Sequence, residues 1–247
     1  MSHETVTVRT QDGECPVHVF TPKSGAGPWP ATIFFMDGLG IRPTLFDMGQ
    51  RLADGGYVVL LPDLYYRAGP YEPLDPKKVF ASNDVRGSIG HLYSTTGNTK
   101  AAQDTEAFLA LIDSRKDVKG TKIGTTGYCM GGGISLTVTG TYPDRIAAAA
   151  SFHGGGLASD AEDSPHLLAP QMKAKVYVGG ADQDGSYPPE MAERLDKALT
   201  DAKVDHRCEI YEGALHGWTM ADFPIYNEPA AERHWRELFA LFKATLG

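Results

Sequence analysis

Three residues of this sequence have side chains that could together attack a carbonyl group: Cys129, Asp182 and His216. A thiol nucleophile needs a base to accept its proton, and an imidazole base needs a carboxylate to orient it. The three residues follow one another in the order nucleophile, acid, histidine, which is the order used when the nucleophile stands on a turn between a strand and a helix. We therefore predict a Cys–Asp–His triad.

The sequence around Cys129 predicts the sharp turn that such a nucleophile requires. Residues 121–126 are rich in β-branched side chains and predict a strand, and residues 133–142 predict a short helix. Gly127 and Gly131 stand at the two positions where a side chain would collide with the neighbouring strand or helix. A helix N-terminus favours a reactive thiolate. The alternative interpretation is a buried structural cysteine in a glycine-rich turn.

Asp182 and His216 each follow a predicted strand, at 175–179 and 206–211 respectively. Both positions are therefore loops at the carboxyl ends of strands, where an open α/β sheet binds its ligands. Either residue could instead be an ordinary loop residue, with Asp182 serving as a helix cap or turn residue. Asp184 is a rival for the role of the acid. The agreement of three loop positions with one chain order favours the triad.

Carbonyl attack also needs two N–H donors to bind the negative oxygen that develops. The backbone N–H of Met130, directly after the nucleophile, is one candidate. Gly38 is the other, because it lies in the turn after the predicted strand 31–36. His153 also follows a strand, but that strand comes too early for the triad order. We interpret its glycine-rich loop as structural or pocket-lining.

Strands and helices that alternate along the chain predict an α/β fold with a mostly parallel central sheet flanked by helices on both faces. We treat residues 1–247 as a single domain, with an N-terminal hairpin and loop at 1–30 and a variable excursion at 64–95 near the active site. The remaining predicted strands are 57–61 and 146–152, and the predicted helices are 44–54, 98–114, 189–200 and 228–246.

Net charge, apolar runs and cysteine number indicate which kinds of binding partner and cellular compartment to expect. The net charge of −8 argues against a nucleic-acid backbone, and the sequence has no apolar run long enough to span a membrane. Three cysteines, an odd and widely spaced set, suit a reducing compartment, so we expect a cytoplasmic protein without disulfides or a metal site. The triad chemistry needs no cofactor. We expect a small-molecule substrate and a monomer or small homo-oligomer.

The sequence resembles the dienelactone hydrolase family of α/β-hydrolases over about residues 28–245. The resemblance rests on Gly-Tyr-Cys-Met-Gly-Gly at 127–132, Pro-Asp-Leu-Tyr at 62–65 and Asp-Gly-Leu-Gly at 37–40. Gly179 to Asp182 and His216 complete it. The resemblance implies an α/β-hydrolase fold and a cysteine hydrolase of ester or lactone bonds, similar to carboxymethylenebutenolidase, that works through an acyl-thioester.

Two positions depart from the family pattern. The resemblance implies an acid that gates the resting thiol, and Asp37 stands where the family's dienelactone enzymes carry Glu. Asp37 could instead stabilise its turn. The family also holds the substrate carboxylate with an arginine four residues after the catalytic histidine, where this sequence has Met220. Arg86 is a candidate replacement, although it could be an ordinary surface residue. Other candidate pocket residues are Tyr65, Tyr71, Phe80, Tyr93 and Trp218.

Two other classes of function are compatible with a reactive cysteine on this fold. A non-hydrolytic redox sensor would need an exposed thiol and a nearby resolving cysteine, but Cys15 and Cys208 fall on predicted strands. A binding protein that has lost catalysis would have no need for a complete triad. Both alternatives are therefore less favoured than a hydrolase.

Overall fold

The hairpin predicted at the start of the chain is present in the computed structural model, which describes residues 2–82 and 84–247. Strands β1 (His3–Arg9) and β2 (Glu14–Phe20) pair antiparallel along their whole length. Gly13 closes the turn between them with a φ of +148°, a backbone conformation that favours glycine.

An eight-stranded sheet forms the centre of the fold, in the order β1-β2-β4-β3-β5-β6-β7-β8. Strands β3 to β8 run parallel to one another, whereas β1 pairs antiparallel with β2 and β2 pairs antiparallel with β4. Every residue of β3, β4 and β5 is buried, as expected for parallel strands covered on both faces. The bounds are β3 Ala31–Phe35, β4 Val58–Pro62, β5 Ile123–Tyr128, β6 Ile146–Phe152, β7 Lys175–Ala181 and β8 His206–Tyr211.

Helices flank both faces of the sheet and confirm the predicted α/β class. Helix α5 follows β5 and is almost wholly buried, because it packs against the sheet and against α4. The bounds are α1 Pro43–Asp54, α2 Pro76–Ala81, α3 Val85–Tyr93, α4 Asn98–Ser114, α5 Met130–Thr141, α6 Pro189–Asp201 and α7 Glu228–Leu246. In the part of the chain that the structure describes, none of these helices is long and apolar enough to cross a membrane.

The excursion at 64–95 is irregular with some helix, as predicted. A 3-10 turn at Tyr66–Ala68 precedes α2 and α3, which are short and mostly exposed. Each of the two helices begins at an aspartate whose side chain accepts a backbone N–H: Asp75 from Lys77 and Asp84 from Gly87. The excursion therefore consists of locally capped helices, and α3 reaches the site described below.

Candidate active site

Cys129 stands at a sharp turn between β5 and α5, as predicted. Its backbone has a φ of +53° and a ψ of −115°, which is strained for a residue with a side chain. A Cβ on Gly127 would lie 1.8 Å from the carbonyl oxygen of Gly131, and a Cβ on Gly131 would lie 2.3 Å from that of Phe35. The structure therefore confirms that both positions require glycine.

Helix α5 begins at Met130 and not at residue 133, where the sequence predicted its start. Three consecutive glycines disfavour a helix when it is exposed. Here, however, Gly131 and Gly132 lie in close contact with β3 and with the loop after β6, so burial of the helix outweighs its low propensity. The early start places Cys129 directly before the first helical N–H groups, which lack partners within the helix.

His216 forms its hydrogen bond with Asp184 and not with Asp182. Its Nδ1 lies 2.6 Å from Oδ2 of Asp184. The other carboxylate oxygen of Asp184 accepts the N–H of Ser186 at 2.8 Å and its hydroxyl at 2.6 Å. The prediction that Asp182 orients the histidine is therefore wrong, and the rival acid takes this place. The sequence analysis did not identify Ser186, which has no motif of its own.

The backbone after β7 explains why the two aspartates have different roles. Strand β7 continues through Ala181, so Asp182 still lies at the end of the sheet. Its N–H donates to the carbonyl of Ala214, and its carboxylate accepts the N–H of Gly213 at 2.9 Å. Gln183 then adopts a φ of +52°, which turns the chain before Asp184. Asp182 thus stabilises the adjoining turn, and Asp184 contacts the imidazole.

The imidazole of His216 is held in its charged form. Burial opposes that charge, but interactions with Asp184 and with Cys129 raise the pKa of His216 to about 10. Burial also disfavours the Asp184 carboxylate, yet its hydrogen bonds from His216 and Ser186 lower the pKa of Asp184 below its usual value. At neutral pH the site thus contains an imidazolium between a carboxylate and a sulfur atom.

The turn after β3 presents a rigid peptide group at Gly38. The hydroxyl of Tyr65 donates to the Gly38 carbonyl oxygen at 2.7 Å, and the N–H of Leu39 donates to Asp37 Oδ1 at 2.9 Å. The peptide between Gly38 and Leu39 is therefore fixed at both its oxygen and its nitrogen. This restricts the conformation of Gly38 and hence the direction of its own N–H, the predicted oxyanion donor.

Asp37 is bound by an arginine that the sequence analysis did not consider. The guanidinium of Arg42 donates to both Asp37 carboxylate oxygens, at 2.7 and 2.8 Å, and both side chains are almost fully buried. Arg42 also donates to Asp222 at 2.7 Å. Because both oxygens of Asp37 are engaged with Arg42, the structure contradicts a thiol-gating role. Arg42 in turn has two carboxylate partners, and Met220, at the family's arginine position, is fully buried.

His153 lies beside the nucleophile, in the glycine-rich loop that we interpreted as structural or pocket-lining. The ring is fully buried, and its Nδ1 accepts the backbone N–H of Cys129 at 3.1 Å. Its Nε2 lies 2.7 Å from Oγ1 of Thr219, in the loop that carries His216. Burial, assisted by the charge of His216, keeps the pKa of His153 well below its usual value. A neutral His153 thus links the Cys129 turn to the His216 loop.

The predicted pocket residues fall into two groups. Tyr93 and Arg86 lie on α3, and Tyr93 is 45% exposed. Partial burial of its hydroxyl, and then the charge of Cys129, raise the pKa of Tyr93, whereas the charge of Arg86 opposes this shift. Ile89, which the sequence analysis missed, joins Tyr93 above Gly38. Ile89 and Tyr93 thus lie on α3 against the turn that carries Gly38.

The other predicted pocket residues have structural contacts. Trp218 is fully buried, with its ring against His153 and Tyr211, so the prediction that it lines the pocket is wrong. Tyr65 is also fully buried and acts on the Gly38 peptide. Tyr71 donates to Asp63 at 2.9 Å and packs edge-on against Tyr65. The ring of Phe80 packs edge-on against Phe223.

The chain is similar to known proteins over nearly its whole length. The model of the dienelactone hydrolase family matches residues 16–246. A protein from Synechocystis sp., provisionally named a carboxymethylenebutenolidase, is 27% identical over 98% of this chain and 96% of its own. A similarly named protein from Escherichia coli (strain K12) is 26% identical over 96% of this chain and 85% of its own.

Solved structures show the same fold. A provisionally assigned dienelactone hydrolase from Klebsiella pneumoniae superposes with a TM-score of 0.83 at 22% identity, over 98% of each chain. A dienelactone hydrolase-like promiscuous phosphotriesterase from metagenomic libraries superposes with a TM-score of 0.75 at 22% identity, over the whole of each chain.

Proposed function

We propose, on the premise that this chain belongs to the dienelactone hydrolase family, that it hydrolyses ester or lactone bonds through an acyl-thioester on Cys129. The hydrolase class follows from the family. The observation that supports the cysteine mechanism is the position of His216, which interacts with Cys129 and also bonds to Asp184 at 2.6 Å. We therefore assign Cys129, His216 and Asp184 as the triad.

In the proposed mechanism, the sulfur of Cys129 attacks the carbonyl carbon while the His216 imidazolium holds the proton. The N–H groups of Met130 and Gly38 bind the oxygen that becomes negative. The carbon–oxygen bond then breaks, and the proton of His216 passes to the leaving alkoxide, which stays tethered to the acyl group if the substrate is a lactone. The neutral His216 next takes a proton from water, whose oxygen bonds to the thioester carbon. The carbon–sulfur bond then breaks, which releases the carboxylic acid product and restores the Cys129 thiolate beside the His216 imidazolium.

The charged side chains near the site indicate where a carboxylate on the substrate could bind. Arg42 is buried between Asp37 and Asp222, so its charge is already balanced by carboxylates. A carboxylate on the substrate would instead meet Arg86, which is exposed on α3 close to Tyr93. We therefore propose esters or lactones as the substrate class, and we propose Arg86 as the cation for any anionic substrate.

The geometry gives no support to a thiol switch as the second candidate. Cys15 lies on β2 and Cys208 on β8, each three strands away from β5, which leads to Cys129. Three strand spacings amount to about 14 Å, whereas a disulfide needs Cα atoms within roughly 7 Å. Burial also raises the pKa of the Cys208 thiol, to about 12, and that of the Cys15 thiol further. All three cysteines are free, and we keep the cytoplasmic location as part of the proposal.

The acyl-thioester itself provides the test of this function. Brief exposure to p-nitrophenyl acetate should add one acetyl group per chain. After acid quenching, which preserves the thioester, peptide mapping should locate this group on Cys129. Nitrophenol release should accompany the adduct. The mechanism would be contradicted if acetylation maps only to lysine. It would also be contradicted if nitrophenol is released but no acyl-thioester can be trapped, either in the wild type or in a variant with slower deacylation such as Asp184→Asn.

The raised pKa of His216 predicts the pH dependence of the reaction. The imidazolium form protonates the leaving alkoxide, so kcat/KM should persist through mildly alkaline pH and fall as the pH rises through about 10. Asp184→Asn removes the stabilising anion and should move this alkaline limb down by roughly one to three pH units. The profile is measured with an ethyl ester, whose alkoxide leaving group needs the proton, and the rate with Cys129→Ala is subtracted at each pH. An alkaline limb that stays in place in Asp184→Asn would contradict the assignment.

A further inference from the structure

A second cluster of reactive side chains lies on the edge of the sheet, separate from the triad. Strand β8 is the last strand in the sheet order, and His206 and Cys208 are two residues apart on it, so both side chains point to the same face. Helix α6 packs against β8 and carries Asp196. One donor atom from each of the three residues lies within 4.8 Å of the others.

The donor atoms are an imidazole nitrogen, a sulfur and a carboxylate oxygen, a set that suits Zn²⁺. Nδ1 of His206 lies 2.8 Å from the carbonyl oxygen of Val204, which can only accept, so Nδ1 carries a proton. In the neutral ring, Nε2 then presents its lone pair to Asp196 Oδ1 at 3.2 Å. The lone pairs of Nε2 and Oδ1 repel each other at this distance, so a cation, either a proton or a metal ion, is needed between them. A hydrogen bond from the second nitrogen to a carbonyl is the usual support of a metal-binding histidine.

Tyr187 provides an independent indication of a ligand at this place. Its side chain is only 3% exposed, and its hydroxyl has no hydrogen-bond partner among the residues that the structure describes. Its ring packs over Gly180, beside Ile210 of β8. Burial, and then the charges of Cys208 and Asp196, raise the pKa of Tyr187. A water on a bound ion would supply the hydrogen-bond partner that this hydroxyl lacks among the described residues.

We propose that Asp196, His206 and Cys208 bind one Zn²⁺ ion, with a water molecule as the fourth ligand and Tyr187 as the partner of that water. Binding displaces the proton of the Cys208 thiol, so a sulfur–zinc bond replaces the sulfur–hydrogen bond and one proton is released to solvent. The ion fastens α6 to the edge strand β8. Because α6 follows directly after the loop of Asp184, the site stabilises the segment that carries the triad acid.

The experiment is a Co²⁺ and Zn²⁺ titration of chelator-treated protein in the Cys129→Ala background, which removes the active-site sulfur as a competing ligand. Co²⁺ should bind with one-to-one stoichiometry and give a sulfur-to-metal charge-transfer band, and Zn²⁺ should displace it. Adding Cys208→Ser should abolish the band, and adding His206→Gln should weaken binding at least about tenfold. The matched control is Asp201→Asn, because Asp201 is an exposed acid on the same helix that pairs with Lys197.

The proposal also predicts a thermal readout. Saturating Zn²⁺ should raise the melting temperature of the Cys129→Ala protein and of the Asp201→Asn control, but not that of the His206→Gln or Cys208→Ser variants. Absence of a charge-transfer band at saturating Co²⁺ would overturn the proposal. A band of undiminished intensity in Cys208→Ser would also overturn it, because the sulfur ligand would then lie elsewhere. Neither result would bear on hydrolysis, which the background variant lacks.

Discussion

Replacing Cys129 with Ala is expected to lower kcat/KM for a p-nitrophenyl ester by at least roughly 10⁴-fold, because alanine has no sulfur atom to form the acyl-thioester next to His216. The substitution leaves the backbone at the turn unchanged, and Cys129 is only partly buried. The melting temperature should therefore stay close to that of the wild type. Turnover and melting temperature measured on the same preparation separate loss of chemistry from loss of fold.

The matched control for Cys129→Ala is Cys15→Ser. Cys15 is fully buried on β2, and its sulfur donates to the backbone carbonyls of Pro16 and Asp63, which a serine hydroxyl can also do. This variant removes a thiol far from the turn and should keep wild-type kcat/KM. If Cys129→Ala retains turnover within tenfold of the wild type, the nucleophile is not Cys129 and the proposed mechanism fails.

Replacing Asp184 with Asn is expected to lower kcat by roughly 10³- to 10⁴-fold. The amide keeps the size of the carboxylate and can still bond to Ser186, but it cannot stabilise the imidazolium of His216. It also permits the ring to turn or to adopt the other tautomer. The pH profile described above gives a second readout, since a merely structural loss would lower the rate without moving the alkaline limb.

The matched control for Asp184→Asn is Asp182→Asn, two residues earlier in the same loop. Asp182 accepts the N–H of Gly213, so this substitution should cost about 1 kcal/mol of stability and change kcat only a few-fold. The comparison decides between the acid assigned from the structure and the acid predicted from the sequence. If Asp182→Asn loses most of its kcat and Asp184→Asn keeps it, then Asp182 is the triad acid, as the sequence predicted.

The steric requirements of the turn explain why the position of the candidate nucleophile could be predicted from the sequence. Gly127 and Gly131 are needed wherever a strand, a tight turn and a helix meet closely, and this demand is local to a few residues. The strands could be identified for a similar reason, because buried parallel strands read as continuous apolar runs bounded by turn residues. Chain order then predicted His216 as the histidine of the proposed triad.

The choice between the two aspartates, in contrast, depends on tertiary structure. Both residues are short acids in one loop, and the sequence shows no difference between them. The contact of Asp182 with the turn at Gly213, 31 residues further along the chain, and the left-handed backbone of Gln183 decide which acid faces His216.

The partners of the other site residues also come from distant parts of the chain. Arg42 joins Asp37 to Asp222, and His153 joins Cys129 to Thr219. Such pairings follow from the way in which the strands bring their loops to one edge of the sheet, and spacing along the sequence does not reveal them. The sequence by itself determined the fold class, the glycine-flanked turn at Cys129 and the histidine of the proposed triad, because these follow from local sterics, hydrophobic pattern and chain order. Only the tertiary structure decided the acid, the engagement of Asp37 and the buried position of Trp218, because these depend on which loops meet.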